Sequence, residues 1–306
     1  MNYIDNAKNF LNVLFDSLRS WLGICIFIFL FSIVLFDQMI HDWGRASQGI
    51  GNLFTFFNES LWPPDWSVLE PQAYPVCTVY PTFMDFTCST AWIGMSETIK
   101  IAFVSTVFGT ILSLPLSLLA ARNLNPPWVS YPSRFLLAAF RSLPSIIWAI
   151  FFVILVGFGP LAGVLAMTIY TVGYLGKLQY EAIEGMTKTP LDASEAIGLS
   201  KIETAINVVI PESANDLISQ AIFMFEYNFR HGTVIGIVGA GGIGYYINLY
   251  LKFLQYDKVI AYLIIIFVVV LIIDFISIKA RSYFTEETDF QRPIWKRVFL
   301  PSMMNK

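Results

Sequence analysis

The chain has 306 residues, of which 56% are hydrophobic and only 13% are charged, and its formal net charge is −3. Because an ordinary soluble domain carries roughly a quarter charged residues, this composition excludes a soluble globular protein. The apolar residues occur in long runs, which are typical of helices that cross a lipid bilayer, and no block of basic residues indicates a nucleic-acid partner.

The N-terminal residues 1–20 place apolar side chains on one helical face and charged side chains elsewhere. This pattern predicts an amphipathic helix that lies on the inner surface of the membrane, before the chain turns inward at Trp21. No small-residue cleavage site follows the apolar run, so the segment differs from a signal peptide and we expect the first span to be retained.

Six apolar stretches predict an all-α polytopic membrane protein with six transmembrane helices per subunit. The predicted spans are residues 21–40, 93–120, 135–158, 161–178, 214–238 and 258–278. The chain then divides into a surface helix, a first span with a long outer loop, a core and a tail, at residues 1–20, 21–92, 93–280 and 281–306.

Lys and Arg residues are distributed unequally between the two sides of the predicted membrane. Thirteen of them fall on the side of the N-terminus, whereas the other side holds only Arg45, Lys252 and Lys258. Since basic residues favour the cytoplasmic side, both termini are predicted to be cytoplasmic. The outer loop 41–92 is then periplasmic, and the polar segment 189–211 is cytoplasmic.

The three cysteines fall into two settings. Cys25 lies within the first span, where it acts as a small apolar side chain. Cys77 and Cys88 both lie in the outer loop, where an oxidising compartment permits a disulfide between them; two independent free thiols are the alternative. The two histidines, His41 and His231, are too few and too far apart for a histidine-rich metal site.

The polar segment between the fourth and fifth spans begins with a predicted short helix. Thr189 is its predicted N-cap, Pro190 fits the first helical position, and Asp192 stands where a capping-box carboxylate reaches back. Gly198 is predicted to end the helix in the left-handed conformation. An ordinary polar loop between two spans is the alternative interpretation.

A second short helix is predicted to begin at Ser200 and to be broken by Pro211. One of its faces carries the apolar residues Ile202, Ala205, Ile206 and Val209. Because helices of under ten residues do not persist alone in water, both short helices need a surface to dock on.

A glycine-rich string follows the fifth span and satisfies the pattern G-x-G-x-x-G. A dinucleotide site requires a strand before these glycines, whereas here a membrane span precedes them, so a tight turn lined by protein is the preferred interpretation. The string could form a close crossing between two copies of the subunit, which we prefer, or a hinge for an outer gate. Its glycines are Gly239, Gly241, Gly242 and Gly244. The sequence contains no G-x-x-x-x-G-K-[ST] motif, so it has no P-loop for ATP.

Two sets of residues carry a resemblance to a known family. Asp192-Ala193-Ser194, with Gly198 six positions after the acid and Pro211 thirteen after the glycine, resembles the E-A-A…G…I-x-L-P loop of permease subunits of bacterial ATP-binding-cassette (ABC) importers. Further stretches resemble the phosphonate and phosphite importer permeases, at residues 97–98, 119–123, 141–144, 148–149, 225–230 and 236–244. The likeness covers about 93–280, with Asp192 in place of the usual glutamate, Ser194 of an alanine and Ile210 of a leucine.

The resemblance implies a type I ABC importer permease fold and a coupling role for the polar segment. The first short helix would dock into a groove on a cytoplasmic ATPase subunit, whose ATP-driven closure would push on it. The residues implied in ATPase coupling are Asp192, Ala193, Glu195, Ala196, Gly198, Ser200 and Pro211.

The same resemblance implies a dimeric permease with two ATPase subunits and a periplasmic solute-binding protein, in a bacterial inner membrane. ATP and Mg would be bound by the ATPase, so this chain would hold no cofactor and catalyse no reaction. The implied cargo is phosphonate, phosphite or a related phosphorus oxyanion. Alternatives are a permease for an amino acid such as methionine, an ion-coupled secondary transporter and, more remotely, a membrane oxidoreductase.

Charged and polar groups inside the spans require an explanation, because ionisable groups at membrane depth are costly. Glu226 and Arg230 stand four residues apart and can pair, so they either lock the helix or, with Asn228, line the pathway, where Arg230 makes a loose contact with a passing oxyanion. Arg141 is placed near the inner end of the third span. It is a further candidate for the pathway or its gate, although we prefer that it snorkels toward headgroups or contacts a partner.

Overall fold

The computed structural model describes residues 2–39, 43–71 and 85–284. Within these ranges the regular secondary structure is helical, with turns and short irregular segments between the helices and one isolated β-bridge between Pro71 and Ser89. The chain divides into two compact units, Met1–Trp62 and Pro63–Lys306. The predicted tail lies outside the described residues from residue 285 onward.

The first unit consists of two helices and a terminal turn. Helix α1, Asn2–Met39, is continuous, so no break separates the predicted surface helix from the first span. Its segment Trp21–Met39 is apolar enough to cross a membrane and none of it is buried within the protein, which fits a lipid-facing helix. Helix α2, Trp43–Phe56, is followed by a wider helical turn, Phe57–Leu61, so part of the predicted outer loop is helical.

The second unit contains the remaining helices. They are α3 Thr90–Ala120, α4 Pro127–Ser142, α5 Ser145–Val156, α6 Pro160–Gly185, α7 Lys188–Ala196, α8 Lys201–Thr204, α9 Ile210–Glu212, α10 Ala214–Ile235, α11 Ile243–Lys252 and α12 Tyr256–Phe284. Over the described residues of both units, five helices are long and apolar enough to cross a membrane, or six if the bent pair α4 and α5 counts as one span. The predicted all-α fold with six spans is therefore confirmed on that count.

The third predicted span, 135–158, is not one helix. Helices α4 and α5 meet at an angle of 83°. Leu143, between them, is extended, with φ −99° and ψ 137°, because the ring of Pro144 disfavours the helical conformation in the residue before it. The prediction of an unbroken span was wrong for this reason.

Small residues on α6 allow the neighbouring helices to approach closely. A Cβ atom added at Gly173 would lie 2.7 Å from the backbone nitrogen of Arg141, and one at Gly176 would lie 2.6 Å from Leu137. Helix α6 also packs closely against α3, where Gly109 of α3 faces Thr171 of α6. A Cβ atom added at Gly109 would lie 2.3 Å from the methyl group of Thr171. Helices in membranes associate through such close packing, so α3, α4 and α6 form a tight group.

Candidate functional site

The end of α7 has the geometry that the sequence predicted. Gly198 is left-handed, with φ +78°. The N–H of Gly198 donates to the carbonyl of Glu195 at 3.0 Å, and the N–H of Leu199 donates to that of Ser194 at 3.1 Å. These two bonds form a Schellman motif, which satisfies the last carbonyl groups of the helix.

The start of α7 differs from the prediction. The helix begins at Lys188 with Thr187 as the N-cap residue, and the Thr187 side chain makes no capping bond. Thr189 therefore lies inside the first turn, and Pro190 is the third helical residue rather than the first. An N-cap requires an extended backbone, and here Met186 and Thr187 are extended after the end of α6.

Ser200 caps α8 through a complete capping box. The N–H of Glu203 donates to the Ser200 hydroxyl at 3.4 Å, and the Glu203 carboxylate accepts from the N–H of Ser200 at 2.8 Å and from its hydroxyl at 2.7 Å. These hydrogen bonds, with the hydroxyl first, lower the pKa of the Glu203 carboxyl from its ordinary value of 4.5. The predicted N-cap at Ser200 is confirmed.

Pro211 does not end this second helical segment. A wider helical turn, Ala205–Val209, leads from α8 into α9, and Pro211 lies within α9. The wider turn precedes the residue that lacks an N–H, so the helical path continues despite the missing donor. The break occurs at Ser213, before α10.

The two short helices contact each other through Ser194 and expose all seven predicted coupling residues. Ser194 is 4% exposed, and its hydroxyl accepts a hydrogen bond of 3.4 Å from Thr204. The exposed residues are Asp192, Ala193, Glu195, Ala196, Gly198, Ser200 and Pro211. Ser194, one of the three residues that depart from the family pattern, is thus an internal contact between the short helices.

The apolar face predicted for the second helix is only partly covered. Val209 is fully buried, whereas Ile202 and Ile206 are 73% and 57% exposed. Ile197, at the end of α7, is 74% exposed as well. Large apolar side chains that remain exposed at a polar end of a membrane protein indicate a surface for a partner.

A four-residue ion network joins α10 to α12. One guanidinium nitrogen of Arg230 lies 2.6 Å from the carboxylate of Glu226 and 2.8 Å from both oxygens of Asp274. Arg281 donates to the other oxygen of Glu226 at 3.1 Å. The predicted pair of Glu226 and Arg230 is present, and Asp274 and Arg281, which the sequence did not point to, complete a neutral network.

Asn228 is a contact between three helices. It is fully buried, and its amide nitrogen donates to the hydroxyls of Thr106 on α3 and Thr171 on α6, both at 2.9 Å. With its polar atoms satisfied inside the subunit, it has no exposed surface to offer to cargo. The prediction that it lines the pathway is therefore not supported by its position.

Arg141 packs against the middle of α6. It stands in the last turn of α4, and its backbone packs against Gly173, close to the middle of the 26-residue helix α6. With a rise of 1.5 Å per residue, this point is roughly 20 Å from either end of α6. The bend between α4 and α5 places Arg141 beside the middle of α6, and its expected place near the inner end of the span stays a prediction.

The glycine string forms a turn within the subunit. All four of its glycines are buried, and Gly239, Gly241 and Gly242 have positive φ angles of 88°, 81° and 77°. Added Cβ atoms at Gly241 and Gly242 would lie 2.7 Å from Glu97 and 2.6 Å from Thr98. Their own chain covers these glycines, so the structure favours a turn within the subunit, and the crossing between two copies stays a prediction.

Side chains of α3 also occupy the position at which an anion would bind in a nucleotide site. The Thr98 hydroxyl accepts from the N–H of Ile243 at 2.9 Å, and the carboxylate of Glu97 lies beside Gly241. Free N–H groups at the start of a helix attract anions. Here the protein's own hydroxyl binds the first N–H of α11, which supports the structural interpretation of the glycine pattern.

The cysteines agree with the sequence analysis as far as they are described. Cys25 is free and exposed on α1. Cys88 is 1% exposed and takes part in a disulfide. Cys77, its predicted partner, lies outside the described residues.

Comparison with known proteins gives a consistent family. Residues 113–277 match the family described as "Binding-protein-dependent transport system inner membrane component". The phosphite transport system permease protein PtxC of Stutzerimonas stutzeri is 39% identical over 65% of this chain and 74% of its own length. The phosphate-import permease protein PhnE of Mycolicibacterium smegmatis is 37% identical over 61% of this chain and 35% of its own length.

A solved structure agrees in fold. A chain of the inward-facing MetNI methionine ABC transporter matches with a TM-score of 0.56 and 23% identity, over 63% of this chain and 97% of that chain. At this identity the likeness establishes the fold alone. The family match covers more than half of the chain and includes the segment from α7 to α9. The chain belongs to the family of binding-protein-dependent transport system inner membrane components.

Proposed function

We propose that the chain is the permease subunit of an ABC importer that carries phosphonate, phosphite or a related phosphorus oxyanion across the inner membrane. The observation that carries this proposal is its 39% identity, over 65% of the chain, to a phosphite transport permease. Cargo selection would depend mainly on a periplasmic solute-binding protein, which delivers the anion to the pore.

The coupling role of α7 and α8 is supported by what they expose. The Schellman motif fixes the backbone conformation at the end of α7. The exposed side chains of Ile197 and Ile202 offer apolar surface that would be buried in a groove of the ATPase. A groove of about 950 Å³ separates these helices from the inner end of α3. We propose that the ATPase pushes on α7 and that α6 transmits the motion to the membrane.

The assembly that follows contains two permease subunits and two ATPase subunits. ATP and Mg would be held by the ATPase, and the permease would bind no cofactor of its own. Both termini and the segment α7 to α9 would face the cytoplasm, as the distribution of Lys and Arg predicts. A homodimer is the simplest form, with a pair of different permease chains as the alternative.

Uptake by the reconstituted complex tests this function. Liposomes containing the permease and its ATPase, with the solute-binding protein outside, are expected to accumulate labelled phosphite or methylphosphonate only when ATP is inside. Methionine serves as the competing cargo. Accumulation of methionine instead would remove the phosphorus oxyanion, and uptake driven by an ion gradient without ATPase would remove the ABC mechanism.

A further inference from the structure

A cavity of about 430 Å³ lies where α4 breaks from α5. Its volume is within the range of small-molecule sites. Polar side chains from four helices line it, namely Arg141, Ser142, Ser145, Tyr170, Tyr227 and His231. None of its lining residues is acidic.

Arg141 has no counter-charge among the described residues. Arg134, Arg230 and Arg281 each pair with a carboxylate, whereas no ion pair or side-chain hydrogen bond of Arg141 is present in that part of the chain. The C-terminal end of α4 favours a cation there, but it supplies only a partial charge. Arg141 is exposed in the subunit. An unpaired guanidinium within a membrane span requires an anion or water, and guanidinium groups bind oxyanions through paired N–H donors.

The start of α5 faces the same cavity. Ser145 is 5% exposed and lines the cavity, and its hydroxyl has no partner among the described residues. The first backbone bonds of α5 are those of Ile147 and Trp148 to the carbonyl of Pro144. The N–H groups of Ser145 and Ile146 precede these bonds, and the start of a twelve-residue helix carries partial positive charge.

An aromatic group forms another wall of the cavity. The hydroxyls of Tyr170 and Tyr227 are 2.8 Å apart, and the rings of Tyr227 and His231 stack with centroids at 3.9 Å. The Nδ1–H of His231 donates to the carbonyl of Tyr227 at 3.1 Å. These contacts hold the three aromatic rings in place. The cavity therefore has hydrogen-bond donors of Arg141 and Ser145 on one side and rigid aromatic rings on another.

We infer that this cavity is a transient binding site for a tetrahedral phosphorus oxyanion, held by the guanidinium of Arg141 and by the hydroxyl and amide of Ser145. The inference rests on the proposed function and names the place in the membrane where the cargo pauses. A single full charge in an open cavity binds loosely, which allows the anion to leave. Arg230, with two carboxylates around it, does not have this role.

Arg141→Gln in the complete reconstituted transporter tests the site through uptake. Loss of a hydrogen bond to a charged group reduces binding roughly tenfold or more, so uptake of methylphosphonate is expected to fall by about that factor at subsaturating cargo. Arg141→Lys is expected to retain part of the uptake. Arg122→Gln, which removes a cation outside the cavity, is the matched control and should transport normally. Normal uptake by Arg141→Gln would overturn the inference.

Thiol labelling tests the same site without transport. With Cys25 replaced by serine, Val234→Cys puts one free thiol at the cavity wall, and methylphosphonate is expected to slow its reaction with a small thiol reagent. Addition of Arg141→Gln should abolish this protection. If the transporter takes up methylphosphonate but the thiol is not protected, the site is refuted. If sulfate protects the thiol and no phosphonate is taken up, the proposed cargo is refuted instead.

Discussion

One guanidinium nitrogen of Arg230 on α10 lies 2.8 Å from each carboxylate oxygen of Asp274 on α12. The same nitrogen contacts Glu226, whose side chain is 10% exposed and also receives Arg281. Two cations and two carboxylates therefore neutralise each other in one network. Their arrangement gives Arg230 a structural role in joining the fifth and sixth spans.

Arg230→Gln is expected to lower the stability of the subunit. It leaves Glu226 and Asp274 with one cation between them, and a broken ion pair of this kind costs about 1–3 kcal/mol when one partner is half-exposed, as Arg230 is. Thermal unfolding in nanodiscs measures the effect. Arg230→Gln combined with Asp274→Asn should regain stability and uptake, whereas stable but inactive single and double variants would indicate a contact with cargo.

Gly198→Val is expected to uncouple ATP hydrolysis from uptake. The substitution meets no neighbour within 4 Å, but it places a β-branched residue at φ +78°, which distorts the end of α7. Gly185→Val is the matched control, since Gly185 also has no neighbour within 4 Å and its φ is not positive. Uptake and ATPase activity are measured together in liposomes. Full uptake by a well-inserted Gly198→Val variant contradicts the coupling role.

The start of α8 is expected to lose protection against hydrogen exchange in acid. The folded pKa of Glu203 is lowered, so its contribution to the capping box is complete above the ordinary pKa and is lost as the pH falls through the lower folded value. Exchange of the amides in residues 200–204, corrected for the intrinsic rate, should therefore accelerate in that window. Ser200→Ala should remove the dependence, and an unchanged profile in that variant would exclude the capping box as its origin.

Gly242→Ala is expected to destabilise the isolated subunit as much as the dimer. The added Cβ would lie 2.6 Å from the Thr98 hydroxyl and would have to adopt φ +77°, and together these effects cost about 2–4 kcal/mol. Unfolding of monomer and dimer fractions in detergent measures this. A loss of stability confined to the dimer would restore the crossing between two copies as the role of the glycine turn.

Features set by neighbouring residues could be predicted from the sequence. The left-handed Gly198 and the capping box at Ser200 depend on a few consecutive residues, and both are present. The bend of the third span depends on Pro144, which is also local, but the uniform apolar character of 135–158 concealed it. The N-cap was displaced to Thr187 because the extended residues after α6 decide where α7 can begin.

Features set by tertiary contacts could not be predicted in the same way. Asp274 and Arg281 meet their partners across 44 and 55 positions of the chain, and no spacing rule connects residues so far apart. The position of Arg141 beside the middle of α6 follows from the angle between α4 and α5, and hydropathy carries no information on that angle. The glycine turn packs against Glu97 and Thr98 of α3. The glycine pattern alone does not show whether this surface or a second copy of the subunit covers the turn.

The continuity of α6 has a mechanical consequence. The amide of Arg141 rests on Gly173 in the middle of this helix, and only Met186 and Thr187 separate its last residue from α7. Packed protein is nearly incompressible. A tilt of α6 that is imposed at its cytoplasmic end therefore also moves the guanidinium of Arg141. Only this two-residue connection would then lie between the coupling helix and the helix against which Arg141 packs, so a push on α7 would reach the anion site through a single long helix.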